Sequence, residues 1–332
     1  MVLMDVQLKI TWSSRLGMAL RVALLSLGMS ASLFVHASDA ESAAADDTIG
    51  ISIGSASVDL MNLIADDTRR LLDGDGIKAQ RIERRSIDEP DEQTSSPELA
   101  LAGLDTFISE WADDAQGADG LLGNLKPVAE VVRDHQAFLM LETRNRQQLR
   151  TVFSRAHGAA GPMKMGGLSD VGQRDHLVAM MLMEAAGQDP TEYAYQSFDS
   201  LGSLAIGLLT GEIGVASIPV SQALRIPLEG GIRVVATSSR QRQDVMKRVP
   251  TLISARIDMV YTDYIGLYAH DSERAIEKLQ PLSRFDTLSS STQWSQQIYE
   301  LGLVDDYINE GNFTVNVLRE LSTLRRLADL LD

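Results

Sequence analysis

Residues 164–240 read KMGGLSDVGQRDHLVAMMLMEAAGQDPTEYAYQSFDSLGSLAIGLLTGEIGVASIPVSQALRIPLEGGIRVVATSSR. A Gly/Ser loop enters an apolar helix that ends at Gly187, and a tyrosine-containing turn leads to a second apolar helix that ends at Gly211. Two short β-rich runs follow. Loops that lead directly into helix N-termini present free backbone N–H groups and the positive end of a helix dipole. The stretch therefore predicts a binding site for an anion.

The N-terminal residues have the order of a secretory signal. Lys9, Arg15 and Arg21 precede an apolar run at 22–35, and Ala37 provides the small residue before a cleavage site. We therefore predict that residues 1–37 are removed and that the mature chain lies in the periplasm. An uncleaved anchor is the alternative, although the apolar run is shorter than the ~20 residues of a membrane span.

Composition limits the classes of partner and chemistry. The chain has no cysteine, so disulfides, thiolate metal sites and thiol nucleophiles are excluded. The formal net charge of −16 argues against nucleic acid and anionic lipid as partners. It permits a small anionic ligand, because a helix N-terminus acts over a few ångströms while the global field is screened within ~8–10 Å.

Hydrophobic periodicity predicts an α/β fold with two lobes. A β-like run at 48–53, a helical pattern at 58–72 and an alternating run at 77–83 form a βαβ unit, which predicts a parallel sheet. The length of the chain suggests two domains. Further β-like runs are at 128–132, 137–141, 213–218, 232–237 and 258–269, and helical patterns are at 147–157, 272–279, 290–301 and 312–331.

The glycine loop at 167–172 has the spacing of a phosphate-binding loop but lacks the residues that such a loop needs. Gln173 and Arg174 stand where Lys and Ser/Thr would hold phosphates and magnesium, so nucleotide hydrolysis is not predicted. The second glycine is also one residue late for a nucleophile elbow. We interpret the loop as an anion cradle. The alternative is a loop whose glycines only turn the chain.

No catalytic residue, metal site or cofactor is predicted. The chain has five histidines, and they form no zinc motif. His176 at a helix start either lines a cleft or packs in the core. Tyr193 and Tyr195 flank a turn and either line the cleft or cap a core. Carboxylates are plentiful, but sequence alone does not separate a glycosidase pair from a solvated acidic surface.

Several of these segments together resemble the periplasmic solute receptors of tripartite tricarboxylate transporters (TctC/Bug-like). The similarity is strongest at 166–177, at Tyr195 to Ile213 and at 232–239, which continues into a Val-Pro-Thr segment at 249–251. The resemblance implies a type II-like periplasmic binding fold, in which two crossing strands join the lobes and the ligand lies between them. The expected domains are 38–128 plus 256–332 for one lobe and 129–255 for the other.

The resemblance also implies the ligand-binding residues. They fall in two strand–loop–helix turns, a third cleft segment and one strand end: Ser55, Ala56, Ser57, Asp59, Ser169, Asp170, Gly172, Gln173, Tyr195 and Ser217. Asp170 stands in a loop that in the family normally carries no charge. We therefore hypothesise that it pairs with an ammonium group on the ligand. The alternative is that Asp170 turns outward as a helix cap.

The function that follows is capture, with no catalysis. We expect a monomeric receptor that binds a small organic acid or amino acid and delivers it to integral-membrane transporter subunits. A periplasmic sensor that feeds a membrane kinase is a second hypothesis with the same fold. An exported hydrolase is a third, and it would require a catalytic triad.

The secretory signal gives the first testable prediction. Protein recovered from the periplasmic fraction should have the intact mass of residues 38–332, because a signal peptidase cleaves after a small residue. Mass spectrometry measures this directly. A full-length, membrane-bound species would show instead that the apolar run is an anchor.

Overall fold

The computed structural model describes residues 48–53, 78–82, 98–113, 122, 125–142, 157–158, 161–162, 164–226, 229–270, 292–304 and 310–331. Four sequence predictions lie outside these residues: the signal at 1–37, the first ligand loop with Ser55, Ala56, Ser57 and Asp59, and the helices at 58–72 and 272–279. Most of the helix predicted at 147–157 lies outside them as well. The elements described below belong to one compact unit, Ile49–Asp332.

The described chain contains both strands and helices. Its strands are β1 (Thr48–Ile53), β2 (Lys78–Ile82), β3 (Glu98–Ala102), β4 (Leu125–Asp134), β5 (Gln136–Leu141), β6 (His157–Gly158), β7 (Gly161–Pro162), β8 (Lys164–Gly167), β9 (Ala194–Ser197), β10 (Val215–Pro219), β11 (Ile232–Thr237) and β12 (Asp263–His270). Its helices are α1 (Leu104–Asp113), α2 (Arg174–Ala185), α3 (Leu201–Thr210), α4 (Val220–Ala223), α5 (Thr292–Glu300) and α6 (Glu310–Ala328).

The strands form two five-stranded sheets and one short hairpin. The first sheet has the order β2-β1-β3-β12-β4, and the second has the order β11-β5-β10-β8-β9. β1 and β3 are parallel, as are β10, β8 and β9. β12 runs antiparallel to β3 and β4, and β5 runs antiparallel to β10 and β11. The predicted two-lobed α/β fold is therefore confirmed.

Local sequence explains where the central helices begin and end. Ser200 and Ser203 form a capping box at the start of α3, and Gly211 ends that helix with a φ of 76°. Gly187, which follows α2, also has a positive φ, of 78°. Both glycines were predicted to end these helices, and their left-handed backbone accounts for that choice of residue.

Two segments cross between the sheets and are bonded to each other. The first passes from β4 to β5 at His135, and the second runs from the end of β11 to the start of β12. Ser238 joins them: its hydroxyl accepts a hydrogen bond from the Gln136 N–H at 2.9 Å and donates one to the Tyr261 carbonyl at 2.7 Å. Its own N–H donates to the Gln136 carbonyl at 2.8 Å. The domain limits predicted at 128/129 and 255/256 stay a prediction.

Helix α2 lies inside the molecule. Eight of its residues are buried, among them Leu177, Met180 and Met183, which agrees with the core helix predicted from its methionine-rich sequence. These side chains share one apolar core with Phe107 of α1 and with three leucines of α6. Helix α2, which follows strand β8 of the second sheet, therefore packs against α1, which follows strand β3 of the first sheet, and against α6.

Among the described residues, no helix has both the length and the apolar character to cross a membrane. Several apolar residues of the long helix α6 face the core, where Phe313, Val317 and Leu321 are fully buried. Most of its charged residues lie on the other face, and Arg319 and Arg325 belong to that more exposed side. This is the pattern of an amphipathic helix on a protein core.

The buried hydroxyl of Ser238 gives a stability prediction. Ser238→Ala should lower the free energy of unfolding by about 1–3 kcal/mol, because the Gln136 N–H is then buried without an acceptor. Urea denaturation measures the change. Ser322→Ala, which removes an exposed hydroxyl bonded to the Leu318 carbonyl in α6, is the control and should change stability by about 0.5 kcal/mol or less. Equal effects of both substitutions would contradict a bracing role for Ser238.

Candidate functional site

The turn between β8 and α2 is shaped by two glycines. A Cβ atom at Gly167 would lie 2.4 Å from the Tyr195 hydroxyl and 2.9 Å from the Ser217 carbonyl, so no side chain fits there. Gly172 has a φ of 83°, in the left-handed region that favours glycine. These two positions bring the backbone of residues 168–173 close to the first turn of α2.

A carboxylate of the chain itself occupies this turn. Asp175, in the first turn of α2, is fully buried. It accepts hydrogen bonds from the N–H groups of Leu168 at 2.9 Å and Ser169 at 3.3 Å. The Ser169 hydroxyl in turn accepts from the Asp175 N–H at 2.8 Å. The turn is thus a cradle for a carboxylate, and Asp175 supplies the group.

The crossing segments complete the cradle. The side-chain amide of Gln136, at the start of β5, donates to Asp175 Oδ1 and to the Ser217 hydroxyl, both at 3.0 Å. Tyr195 donates its phenolic O–H to the Ser169 carbonyl at 2.9 Å. The cradle is therefore fixed by β5, β9 and β10 as well as by its own loop.

Arg174 extends from the cradle to elements of the first sheet. Its Nη1 lies 2.8 Å from Asp105 Oδ2, in the first turn of α1, and 3.3 Å from Asp263 Oδ2, at the start of β12. Its Nε lies 3.2 Å from Asp175 Oδ1. Asp263 also accepts a hydrogen bond from the Leu104 N–H at 2.8 Å. A second contact also joins α1 to the start of α2: the Ser109 hydroxyl donates to the side-chain oxygen of Gln173 at 3.0 Å.

The electrostatics of this cluster favour a proton or a further positive charge. Three carboxylates surround one guanidinium. Burial raises the pKa of Asp105 to about 7, and Arg174 opposes the rise. Burial likewise raises the pKa of Asp263, again opposed by Arg174. Burial lowers the pKa of Arg174. The three carboxylates of Asp175, Asp105 and Asp263 raise it by a larger amount, so its pKa stands well above the usual range. The guanidinium is therefore always charged.

Asp134, on the first crossing segment, is a further buried carboxyl group beside this cluster. It accepts hydrogen bonds from the Ser221 hydroxyl and from the His135 N–H. Burial raises the pKa of Asp134 to about 7, and the Ser221 hydrogen bond opposes the rise. Within the described ranges, no group of His, Asp or Glu side chains is arranged to hold a metal ion.

His176 is part of the wall of the turn. Its Nδ1 accepts a hydrogen bond from the Gly172 N–H at 2.9 Å, which places the ring proton of the neutral form on Nε2. Burial lowers the pKa of His176 to about 4. The ring packs on Tyr195, with centroids 4.5 Å apart, and Tyr193 donates to the His176 carbonyl. Of the two alternatives for this histidine, packing agrees with the structure.

Of the ligand-binding residues predicted from the resemblance, five lie around the start of α2: Ser169, Gly172, Gln173, Tyr195 and Ser217. Asp170 lies at the surface with an exposed side chain. The helix begins after Gln173, whose side chain makes no capping bond, and the Asp170 carbonyl accepts the Gln173 N–H. Asp170 thus turns outward, as one alternative expected, although it is not a helix cap. The structure does not favour an ammonium-binding role for it.

The sequence analysis missed the residues that dominate the geometry: Asp105, Gln136, Arg174, Asp175 and Asp263. One signal was present. Asp105 lies three residues after the end of β3, and polar residues beyond the carboxyl ends of parallel strands commonly line ligand crevices. Arg174 was singled out only as a departure from the pattern of a phosphate-binding loop, because sequence does not show that its side chain turns inward.

No family model matches the chain, and no curated protein matches it. Solved structures do match. A TctC solute-binding protein from Polaromonas is 15% identical, with a TM-score of 0.65, over 85% of this chain and 98% of that one. MatC from Rhodopseudomonas palustris, with bound malate, is 13% identical, with a TM-score of 0.60, over 86% and 99%. A second R. palustris protein, with adipate, is 13% identical, with a TM-score of 0.60, over 85% and 95%.

These similarities establish the fold. The chain has the architecture of the periplasmic solute-binding proteins of the TctC and Bug type, and a structure of the binding protein BugD is also similar, with 14% identity and a TM-score of 0.58. The fold suggested by the sequence resemblance is therefore confirmed.

Removal of the central guanidinium gives a prediction about stability and pH. Arg174→Ala should lower the free energy of unfolding by about 3–5 kcal/mol at pH 8, because three buried carboxylates lose their counter-charge. A carboxyl whose pKa is raised in the folded state binds its proton more tightly there, and its stabilising effect is lost as pH rises from about 4 to the folded value. The deficit should therefore shrink between pH 8 and pH 5, as Asp105, whose pKa is raised to about 7, becomes protonated. Urea titrations across this range measure it.

The matched control is Arg326→Ala. Arg326 likewise forms an ion pair between two elements, since it joins α6 to Glu184 of α2. Both of these side chains are about half exposed. Loss of this exposed pair should cost about 1 kcal/mol or less, with little dependence on pH in this range. A pH-independent deficit in Arg174→Ala, or a deficit no larger than that of the control, would contradict the assigned electrostatics.

Proposed function

We propose that this protein is an extracytoplasmic solute receptor that captures a small carboxylate-bearing ligand and delivers it to membrane transporter subunits. The ligand carries an amino group beside its carboxylate. The proposal rests on the fold, on the secretory order of the N-terminal sequence and, above all, on the ion cluster that meets at Arg174. The receptor acts by binding, with no chemical step.

The carboxylate of the ligand has one clear partner in this cluster. Arg174 uses Nη1 and Nε in its ion pairs, and its Nη2 makes no hydrogen bond with the described residues. The side chain is 11% exposed, so it is not completely sealed from solvent. A guanidinium carries five N–H donors in a planar fork, which suits it to a carboxylate. The backbone cradle of the neighbouring turn is already filled by Asp175.

The amino group of the ligand has a partner only a short distance away. The Oδ1 atom of Asp105 is buried and has no hydrogen-bond partner among the described residues. Its other oxygen is the one that lies 2.8 Å from Arg174. An α-amino carboxylate holds its two charged groups on one carbon, so it can place its ammonium group on Asp105 and its carboxylate on Arg174 together. Its positive charge also offsets the excess of carboxylates.

Access to this cluster requires movement. Arg174, Asp105 and Asp263 are largely buried, and α2 shares an apolar core with α1 and α6. A ligand that binds across the two sheets therefore favours the arrangement described here over an open one, by its differential affinity for the two. The closed form is the one that membrane subunits would recognise.

Paired ligands test this proposal. Calorimetry on the mature chain compares succinate with aspartate and glutarate with glutamate, pairs that differ by one amino group. The amino-bearing member should bind about tenfold tighter or more, because a charge-assisted hydrogen bond contributes roughly 1.5–3 kcal/mol. Asp105→Asn should remove this preference and retain binding of the plain dicarboxylate.

Asp170→Asn is the matched control, because Asp170 is exposed and lies in the loop before the same helix. It should leave both affinities unchanged. Thermal unfolding of each ligand-free variant separates loss of binding from loss of structure. Absence of binding by all four ligands would reject capture of this ligand class, whereas equal binding within each pair would reject only the role of the amino group.

A further inference from the structure

A cavity of about 840 Å³ lies on the side of the crossing segments away from the carboxylate cradle. Successive side chains of an extended chain point to opposite sides. Asp134, Gln136 and Asp263 belong to the cluster around the cradle, whereas His135 and Thr262, which alternate with them, line the cavity. The opposite wall comes from residues 239–245, α5 and α6. The cavity is within the usual size range of small-molecule sites.

The wall of this cavity is basic, in contrast to the chain as a whole. Four arginines line it: Arg133, Arg240, Arg242 and Arg319. The carboxylates in the lining are Asp244 and Glu320. Asp244 lies 3.3 Å from Lys247, and burial raises the pKa of Glu320 to about 7, so the four arginines outweigh the two carboxylates of the lining. With a formal net charge of −16 for the chain, this is a local reversal of sign.

Two of the arginines have donors to spare. Arg240 has no hydrogen-bond or ion-pair partner within the part of the chain that the structure describes. Arg242 makes one hydrogen bond there, from Nη1 to the Lys247 carbonyl at 3.3 Å. Because a guanidinium has five N–H donors, most of those on both residues remain for a ligand. By contrast, Arg133 is bonded to Glu130 and lies over the Tyr264 ring.

An unpartnered buried amide points to a ligand at the same place. Gln243 lines the cavity and is only 8% exposed. Neither its Oε1 nor its Nε2 has a hydrogen-bond partner among the described residues. A buried amide without partners is costly to the folded state. A ligand with an acidic oxygen and a hydroxyl would satisfy both atoms.

We infer that this cavity, which we call the crossing-segment cavity, is a second binding site that takes a small multiply charged oxyanion. Arg240 and Arg242 bind its charged oxygens, and Gln243 bonds to a polar group beside them. A polycarboxylate and a phosphate compound share this chemistry. The site is independent of the proposed amino-carboxylate site at Arg174, since the crossing segments separate the two.

Calorimetry with citrate and with pyrophosphate as probes tests this inference and distinguishes the two sources of charge. At least one probe should bind to the mature chain. Arg240→Ala should weaken that binding about tenfold or more, because it removes a charge-assisted contact. Arg248→Ala, which removes another exposed arginine outside the cavity lining, is the control and should leave the affinity unchanged.

Gln243→Leu separates a binding role from a structural one. It should weaken binding of the probe and raise the unfolding temperature of the ligand-free protein, because it removes an unsatisfied buried amide. A residue with a purely structural role would lower that temperature. Absence of binding by both probes at about 10 mM, far weaker than micromolar affinity, would overturn the inference. Unchanged affinity in both Arg240→Ala and Gln243→Leu would also overturn it, because the anion would then lie elsewhere.

Discussion

One buried guanidinium, that of Arg174, connects the parts of this structure that would otherwise be independent. It contacts Asp105 in the first turn of α1 and Asp263 at the start of β12, both of which adjoin the first sheet. It also contacts Asp175 in the first turn of α2, which follows strand β8 of the second sheet. Taking charges out of water is expensive, and the cost is repaid only when opposite charges meet with good geometry. The cluster is therefore stable only while the two sheets stay in this arrangement, and the position of α1, of α2 and of both crossing segments follows from it.

Apolar packing acts in the same direction. Helix α2 buries side chains against its own sheet and against α1 and α6, as Leu177 and Phe107 do within one core. Separation of the lobes at this helix would expose those side chains, at about 25 cal/mol for each Å² of apolar surface. The chain also fills its own anion cradle with Asp175. Together these features stabilise the arrangement described here without any ligand, so a ligand at this place has to compete with contacts that the protein already makes.

The crossing segments separate two chemically different regions by simple alternation. On one side, Asp134, Gln136 and Asp263 contribute to an acidic cluster that suits a cationic group. On the other, His135 and Thr262 face a basic cavity. Burial lowers the pKa of His135 to about 4, so it adds no charge to that wall at neutral pH.

The sequence by itself indicated the fold class and several of the elements, although it did not predict β3 or α1. Periodicity, helix caps and glycines located α2, α3, β10 and β11, because these signals act within a few residues and need no partner. The sequence predicted an anion cradle for a ligand at the glycine loop, and this stays a prediction, because in the structure Asp175 of the chain itself occupies the turn. Only the tertiary structure decided that Arg174 and Asp175 turn inward, that Asp105 and Asp263 meet them, and that Asp170 faces solvent. A side chain's direction at the start of a helix depends on which distant residues surround it, and the partners of Arg174 lie 69 and 89 positions away. No local pattern records charges so far apart, because it is the packing of two sheets around α2 that brings them together.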